Sequence, residues 1–142
     1  MSGGAAGADL AWGVAADGAG HNVVHWTFVG HKAATNEFTV VLPRETLDEA
    51  NEYLLRASKN LKRRWPGNNP YTNDLMRRNY FQVAWSHRVY ALSRFQKDSS
   101  LLGIKGGTAW ACQCYVDRWY NGTNLTECEL YLFDLDQNCW MQ

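Results

Sequence analysis

Two glycine-rich turns carry the residues of this sequence that are best suited to hold an anion. The first reads Ser-Gly-Gly-Ala-Ala-Gly-Ala-Asp at 2–9, the second reads Gly-Gly-Thr at 106–108, and a helix-forming segment follows each. Backbone N–H groups at a helix start have no partner within the helix, and together with the helix dipole they attract phosphate. Glycine lets the backbone approach such a ligand closely. Either turn alone would suit a plain connection, but the pair predicts a phosphate-binding site.

A few other side chains could contact the same ligand. His31 and Lys32 follow a predicted strand, where ligand contacts collect in α/β sheets, and the ring of Trp26 could stack on a base or pack in the core. Trp110 and Tyr80 have the same two alternatives. His25 and His31 have no nearby carboxylate or thiolate in the sequence to complete a metal site, so we expect no metal and no cofactor.

Composition excludes several classes of partner. Fourteen basic residues balance fourteen acidic ones, which argues against nucleic acid as a partner because phosphate backbones need clustered positive charge. No stretch approaches the roughly 20 apolar residues of a membrane span, and residues 1–9 do not resemble a signal peptide. The four cysteines lack the paired spacing of a zinc site, and reduced thiols fit the cytoplasm.

The turns must be positioned by a fold in which helices and strands alternate. A chain of 142 residues fits one domain over 1–142. The alternation predicts an α/β fold, a single Rossmann-like domain with a mostly parallel sheet and helices on both faces. Hydrophobic periodicity and turn residues predict helices over 5–19, 44–64, 72–85 (with Thr72 or Asn73 as the cap) and 109–119, and strands over 22–28, 38–42, 88–92 and 129–134.

The first turn resembles the first motif of the SLOG superfamily, which includes the LOG ("lonely guy") phosphoribohydrolases and the DprA/Smf proteins. Gly-Gly-Thr at 106–108 is similar to the second motif, which reads Pro-Gly-Gly-x-Gly-Thr-x-x-Glu in the LOG enzymes. Leu-Met-Arg-Arg-Asn-Tyr at 75–80, with the strand after it, resembles the helix that carries an Arg-Asn pair in that family. The likeness covers roughly residues 2–30 and 72–134.

The resemblance implies a nucleotide or nucleotide derivative held between the two turns. Asp9 would support the first turn or reach the ligand. The other ligand-binding positions that it implies are Ser2, Gly3, Gly4 and Ala5 in one wall, Gly106, Gly107 and Thr108 in the phosphate cradle, and Arg78 and Asn79 on the helix between them.

Two departures from the family pattern shape the functional hypotheses. No carboxylate follows Thr108, where the LOG enzymes have the Glu that assists cleavage of the N-glycosidic bond. The family's first strand precedes the Ser-Gly-Gly motif, whereas only Met1 precedes it here, so either another strand takes its place or the first turn is displaced.

We therefore expect a binder with no catalytic residue, which senses or sequesters a signalling nucleotide, as a phage or defence protein would. The alternative is a LOG-like nucleotide N-glycosidase that uses Asp9 or Glu37, and a DNA-handling module is a third class, which the balanced charge disfavours. The many aromatic residues suit a homo-oligomer interface.

Overall fold

The computed structural model describes residues 1–95, 103–119 and 128–141. Helices and strands alternate through most of this part of the chain, as predicted, so the fold is α/β. The helices are α1 (Ala8–Gly18), α2 (Arg44–Glu49), α3 (Asn51–Leu61), α4 (Pro70–Val83) and α5 (Gly106–Trp119). The strands are β1 (His25–Phe28), β2 (Thr39–Leu42), β3 (Arg88–Ser93), β4 (Glu129–Asp134) and β5 (Cys139–Met141), of which β5 was not predicted.

The strands form two small sheets instead of one continuous sheet. β1 and β2 pair in parallel with His25 opposite Thr39, and β3 and β4 pair in parallel with Arg88 opposite Glu129. β5 adds to β4 in the antiparallel direction, so the second sheet is mixed. The prediction of a mostly parallel sheet therefore holds for the pairs β1–β2 and β3–β4, while β1 and β3 are not joined.

A single residue extends the first sheet on the other edge of β1. The Ser2 N–H donates to the Val24 carbonyl at 2.9 Å, and the Trp26 N–H donates to the Ser2 carbonyl at 2.8 Å, which makes a parallel bridge between Ser2 and His25. The chain then turns away at Gly3 and Gly4, and Gly4 has a φ of 62°. The turn is the physical reason why only one residue pairs here.

Helix α5 is the centre of the core. Every residue from Ala109 to Asp117 is buried, since α3 and α4 pack on one side of the helix and β3 on another. Phe81, Leu54 and Tyr115 join the main apolar cluster, and a second cluster sits between α5 and the second sheet. A helix that is buried all around shows little amphipathic pattern, which suits its run of small and aromatic residues.

Several predicted boundaries differ from the structure: α1 begins at Ala8 instead of residue 5, and β1 begins at His25 instead of residue 22. The predicted helix over 44–64 is two helices, because Ala50 forms a tight turn in which its N–H reaches Leu47. The cap of α4 is Asn69 and neither Thr72 nor Asn73: the Asn69 side chain accepts from the Thr72 N–H at 3.1 Å, ahead of a proline at the first helical position. α5 begins at Gly106, so Gly-Gly-Thr forms its first turn and not a loop before it.

Within residues 1–95, 103–119 and 128–141, no helix is long and apolar enough to cross a membrane.

Candidate functional site

Both glycine turns contribute residues to the wall of one cavity of about 540 Å³. Residues of α1, α4, β3 and α5 enclose it. Its polar group, as we name it here, consists of Ser2, Asp9, Arg78, Asn79, Gln82, Gly107 and Thr108. Its apolar wall includes Trp12, Ala16, Val83, Val89, Tyr90 and Ala91. Six of the thirteen residues predicted to bind a ligand therefore line the same space, although about 100 positions separate the two turns in the sequence.

Arg78 is the principal charge of the cavity. It is only 4 % exposed, and its Nη1 lies 3.2 Å from Oδ2 of Asp9, whose side chain is 27 % exposed. Its Nε is buried, and no hydrogen-bond partner for it lies within the part of the chain that the structure describes. Burial lowers the pKa of the Arg78 guanidinium and Asp9 opposes that shift, but a guanidinium remains charged at neutral pH. The Arg78 guanidinium is therefore buried with one partly exposed counter-charge, Asp9, and with an unpaired N–H at Nε. This arrangement favours a further anionic partner.

The first glycine turn makes room for this guanidinium. A Cβ at position 3 would lie 1.2 Å from Nη1 of Arg78, so Gly3 lets the backbone pass directly over the charge. In the orientation that satisfies both ends of its amide, the Gln82 side chain accepts from the Gly3 N–H at 2.9 Å and from Arg78. Gly3 and Gln82 together fix Arg78 against the turn.

The Ser2 side chain stabilises the first glycine turn through two contacts. Its Oγ donates to the Asp9 carbonyl at 3.0 Å and lies 2.6 Å from Nδ1 of His25. Because the serine proton goes to a carbonyl, Nδ1 of His25 carries the hydrogen that Oγ accepts. Burial lowers the pKa of His25, the imidazole is almost wholly enclosed, and Gly4 packs against it. The Ser2 hydroxyl thus holds the turn together instead of pointing at a ligand.

Ala5 and the chain after β1 complete the first turn. The Ala5 carbonyl accepts from the Leu10 N–H at 3.2 Å, and the Gly4 carbonyl accepts from the Ala34 N–H at 2.8 Å. Gly7 has a φ of 95° and begins α1 without a side-chain cap, which leaves N–H groups of the first turn unpaired by the helix. Ala8 and Asp9 of that first turn line the cavity.

The second glycine turn forms the first turn of α5 and lies in the wall of the same cavity. Gly106 has a φ of 67°, and Gly107 and Thr108 line the cavity wall. The Gly107 carbonyl accepts from Nδ2 of Asn79 at 3.3 Å, which ties α5 to α4. A Cβ at position 107 would lie 2.8 Å from that amide nitrogen and 3.1 Å from Cε of Met76. Only glycine therefore lets α4 side chains pack this closely on the backbone of α5.

His31 and Lys32 lie outside the cavity wall, at the carboxyl end of β1. Nδ1 of His31 is 2.8 Å from Oγ1 of Thr27, and the ring stacks on Phe28 at 5.1 Å. Burial lowers the pKa of His31, Arg78 lowers it further, and Asp9 opposes them, so the imidazole lies within electrostatic reach of the polar group. The backbone N–H of Lys32 reaches the Tyr71 hydroxyl at 3.4 Å.

The three rings considered for base stacking pack against other aromatic rings. Trp26 contacts Trp85 at a centroid distance of 5.7 Å, Tyr80 stacks on Tyr53 at 4.3 Å, and Trp110 contacts Trp65 at 5.7 Å. None of the three lines the cavity. The aromatic rings in its wall are instead Trp12 and Tyr90, which lie 6.2 Å apart.

The sequence contained signals for the cavity residues that were missed. Trp12 is three residues after Asp9, and Gln82 is four residues after Arg78, so each lies on the same helix face as a predicted ligand-binding residue. Tyr90 belongs to a predicted strand, but sequence alone does not tell which edge of that strand is open.

No metal site is formed by the residues that the structure describes: no three His, Cys, Asp or Glu side chains among them come together around a common point. Cys112 and Cys114 are free and buried, and burial raises the pKa of each thiol to about 12, so both stay protonated and pack as apolar groups.

No protein-family model, no curated protein and no solved structure is significantly similar to this chain.

Proposed function

We propose that the cavity binds a nucleotide or a similar phosphorylated ligand, with a phosphate between Arg78 and the start of α5. The observation that supports this best is the buried guanidinium of Arg78. Among the described residues its Nε has no hydrogen-bond partner, and its ion pair is with the partly exposed carboxylate of Asp9. Arginine binds phosphate oxygens through parallel N–H donors, and such charge-assisted bonds are about twice as strong as neutral ones.

Two helix starts support the same placement. The first turns of α1 and α5 both line the cavity. The amino-terminal end of a helix carries N–H groups without a partner inside the helix and the positive end of the dipole, which add positive potential where Arg78 already lies. Thr108 supplies a hydroxyl donor. Asp9 would repel an anion at this point, so binding requires its carboxylate to swing outwards, which its partial exposure allows. Ligand binding then replaces one counter-charge of Arg78 with another.

The nucleoside part would extend towards the carboxyl end of β1. His31, Lys32 and Tyr71 lie there, and His31 is already in the electrostatic field of Arg78. Ligands of doubly wound α/β sheets bind outside the carboxyl ends of the strands. This placement belongs to our proposal that the two small sheets are parts of one Rossmann-like arrangement, for which the parallel pairs β1–β2 and β3–β4 are the support.

We propose binding without turnover, for sensing or sequestration of the ligand. Asp9 is the only carboxylate that lines the cavity among the described residues, and it is held by Arg78. Glu37 is exposed in the segment after β1 and does not line the cavity.

The position of Asp9 also supports a second candidate, a LOG-like N-glycosidase. In that case the protein would release free base and ribose phosphate from a nucleoside monophosphate over many turnovers, and Asp9→Asn would abolish the release while the domain stays folded. In the binder that we propose, AMP incubated with the protein returns with unchanged mass.

The cellular location, the oligomeric state and the biological role of the protein are also proposals. Free cysteines, among them the exposed Cys139, fit a reducing cytoplasm. An exposed aromatic face that includes Trp12, Tyr90 and Trp140 would suit the contact surface of a homo-oligomer. Sequestration of a signalling nucleotide, in a phage or defence setting, is the role that a binding domain of this size could fill without an attached effector.

Two adjacent arginines of α4 allow the proposal to be tested with a matched control. Arg78 lines the cavity, whereas Arg77 pairs with Asp74 and Asn51 and lies over Trp65, outside it. Calorimetric titration with AMP and with inorganic phosphate should show affinity that Arg78→Gln weakens by at least about thirtyfold, since a buried charged contact contributes 2 kcal/mol or more. Arg77→Gln is the matched control and should bind like the parent protein. Equal losses in both variants, or no binding of either probe, would refute the proposal.

A further inference from the structure

The exposed face of α3 carries opposite charges at its two ends. Leu54 and Ala57 of this helix are buried in the main apolar cluster, whereas Glu52, Leu55 and Lys59 are exposed on the other side. Seven residues make almost two full helical turns, so Glu52 and Lys59 share one face and lie about 10 Å apart along the axis. They are too far apart to pair within one copy, and neither forms an ion pair with another described residue.

The acidic end of this face borders a second cavity, of about 630 Å³. Its wall contains three carboxylates and three partly exposed aromatic rings, those of Asp48, Glu49, Glu52, Tyr53, Tyr80 and Trp85. No lysine or arginine of the described residues lines it, although two arginines pair with Asp48 from outside. Carboxylates and the faces of aromatic rings both attract cations. This second cavity therefore suits a basic side chain.

The other end of α3 is basic. Lys59 lies in its last turn, and Lys62 follows the helix with a φ of 53° and an exposed side chain. The helix dipole accounts for acidic residues at the start of a helix and basic residues at its end. It does not account for Leu55, a large apolar side chain that is 50 % exposed between Glu52 and Lys59. An exposed leucine flanked by opposite charges indicates a contact surface.

Two copies of α3 complement each other when they lie antiparallel. A two-fold axis halfway between Glu52 and Lys59 sets Glu52 of each copy opposite Lys59 of the other, and symmetry repeats this pair at both ends of the contact. Leu55 lies next to the axis, so the two leucines contact each other. The same register sets Lys62 level with Glu49 of the other copy, at the second cavity. Charge and apolar surface thus match in one arrangement.

We propose that the protein forms a two-fold dimer in which the exposed faces of α3 pack antiparallel, with Glu52 of each copy paired with Lys59 of the other around a contact between the two Leu55 side chains. The second cavity of each copy receives the basic end of α3 from the other. This contact is separate from the exposed aromatic face that includes Trp140. It does not depend on the proposed ligand, because none of its residues lines the cavity around Arg78.

Charge exchange between two variants tests the contact and its register. Glu52→Lys sets lysines opposite each other at both ends of the contact, and Lys59→Glu does the same with glutamates. Each variant alone should therefore dimerise at least about tenfold more weakly than the parent protein, as measured by sedimentation velocity over a range of protein concentrations. An equimolar mixture of the two variants should form a heterodimer with nearly the parent affinity, because every lysine of one variant then lies opposite a glutamate of the other.

Two further variants serve as controls. Asp17→Lys, at an exposed position of α1, changes the net charge by the same amount as Glu52→Lys, and Trp140→Ser removes a ring from the aromatic face. Both should dimerise like the parent protein. A parent protein that stays monomeric at every concentration would overturn the inference, and so would undiminished dimerisation of Glu52→Lys or failure of the two folded α3 variants to associate when mixed. Loss of the dimer in Trp140→Ser alone would place the contact on the aromatic face instead, which also overturns it.

Discussion

At the scale of single residues, the site depends on glycines that let charged and aromatic groups approach the backbone. Gly3 lies over the Arg78 guanidinium, Gly107 lies against Asn79, and Gly13 of α1 faces the ring of His25. In each case a Cβ would come within 3 Å of a polar side chain. The requirement at these positions is therefore space, whereas at Gly4 and Gly106 it is a positive φ.

Gly13 offers a clean test of such packing. A Cβ there would lie 2.5 Å from Cε1 and Nε2 of His25, which is itself held by Ser2, so we expect Gly13→Ala to lower the unfolding free energy by about 1–3 kcal/mol. Gly18, at the end of the same helix, has no heavy atom within 4 Å of its Cβ position. Gly18→Ala should leave stability unchanged or raise it by up to about 1 kcal/mol. Urea denaturation of the two variants measures both effects, and equal effects would contradict the assigned contact.

His25 and His31 predict how stability depends on pH. Burial lowers the pKa of both below the ordinary value of 6.5, so the unfolded chain binds more protons than the folded one once pH falls through that value. The unfolding free energy should therefore be lower at about pH 5 than at about pH 7.5. Denaturant titrations at the two pH values measure the difference, and His25→Gln should reduce it. A protein that is more stable at the lower pH would contradict the buried, neutral imidazoles.

At the scale of elements, α4 positions the functional residues of the cavity. The face towards the cavity carries Arg78, Asn79 and Gln82, while Arg77 lies on another face, where it pairs with Asp74 and donates to Asn51 of α3. The Asn69 cap and the proline after it fix where the helix begins, and so fix which residues face the cavity. A shift of one residue would turn the helix by about 100° and remove Arg78 from the site.

The cap of α4 can be tested by substitution. Asn69→Ala removes the acceptor of the Thr72 N–H and should lower the unfolding free energy by about 1 kcal/mol. Asn69→Asp keeps an acceptor at the helix start and should retain most of that stability. Thermal denaturation of the two variants gives the comparison. A loss of similar size in both would show that the Asn69 side chain acts through some other contact.

Sequence predicted the helices and strands better than the way they assemble. Alternating and periodic apolar residues gave β1, β4 and the greater part of α1 and α4, because those patterns reflect local burial. The break at Ala50 was missed, since apolar residues keep the helical period across it. β5 and the separation into two sheets were also missed, because strand pairing depends on contacts between distant segments that local pattern does not encode.

At the scale of the whole molecule, folding brings the two glycine turns to one cavity. The contacts that join them are between Arg78 and the first turn and between Asn79 and the second, so adjacent residues of α4 link segments that are far apart in sequence. The family resemblance pointed to this pair and to both turns. Trp26, predicted to contact the ligand, does not line the cavity and packs on other aromatic rings instead. Burial of a large aromatic ring stabilises the fold, so such a ring readily joins the core.

Native mass spectrometry of the purified protein tests the central proposal most directly. If the cavity binds a phosphorylated, nucleotide-like ligand, protein incubated with AMP should show an added mass equal to one AMP. Arg77→Gln should keep that adduct and Arg78→Gln should lose it, while ligand released by heat should have unchanged mass. Full occupancy in Arg78→Gln, or absence of any adduct in the parent protein with AMP in excess, would contradict phosphate binding at this site.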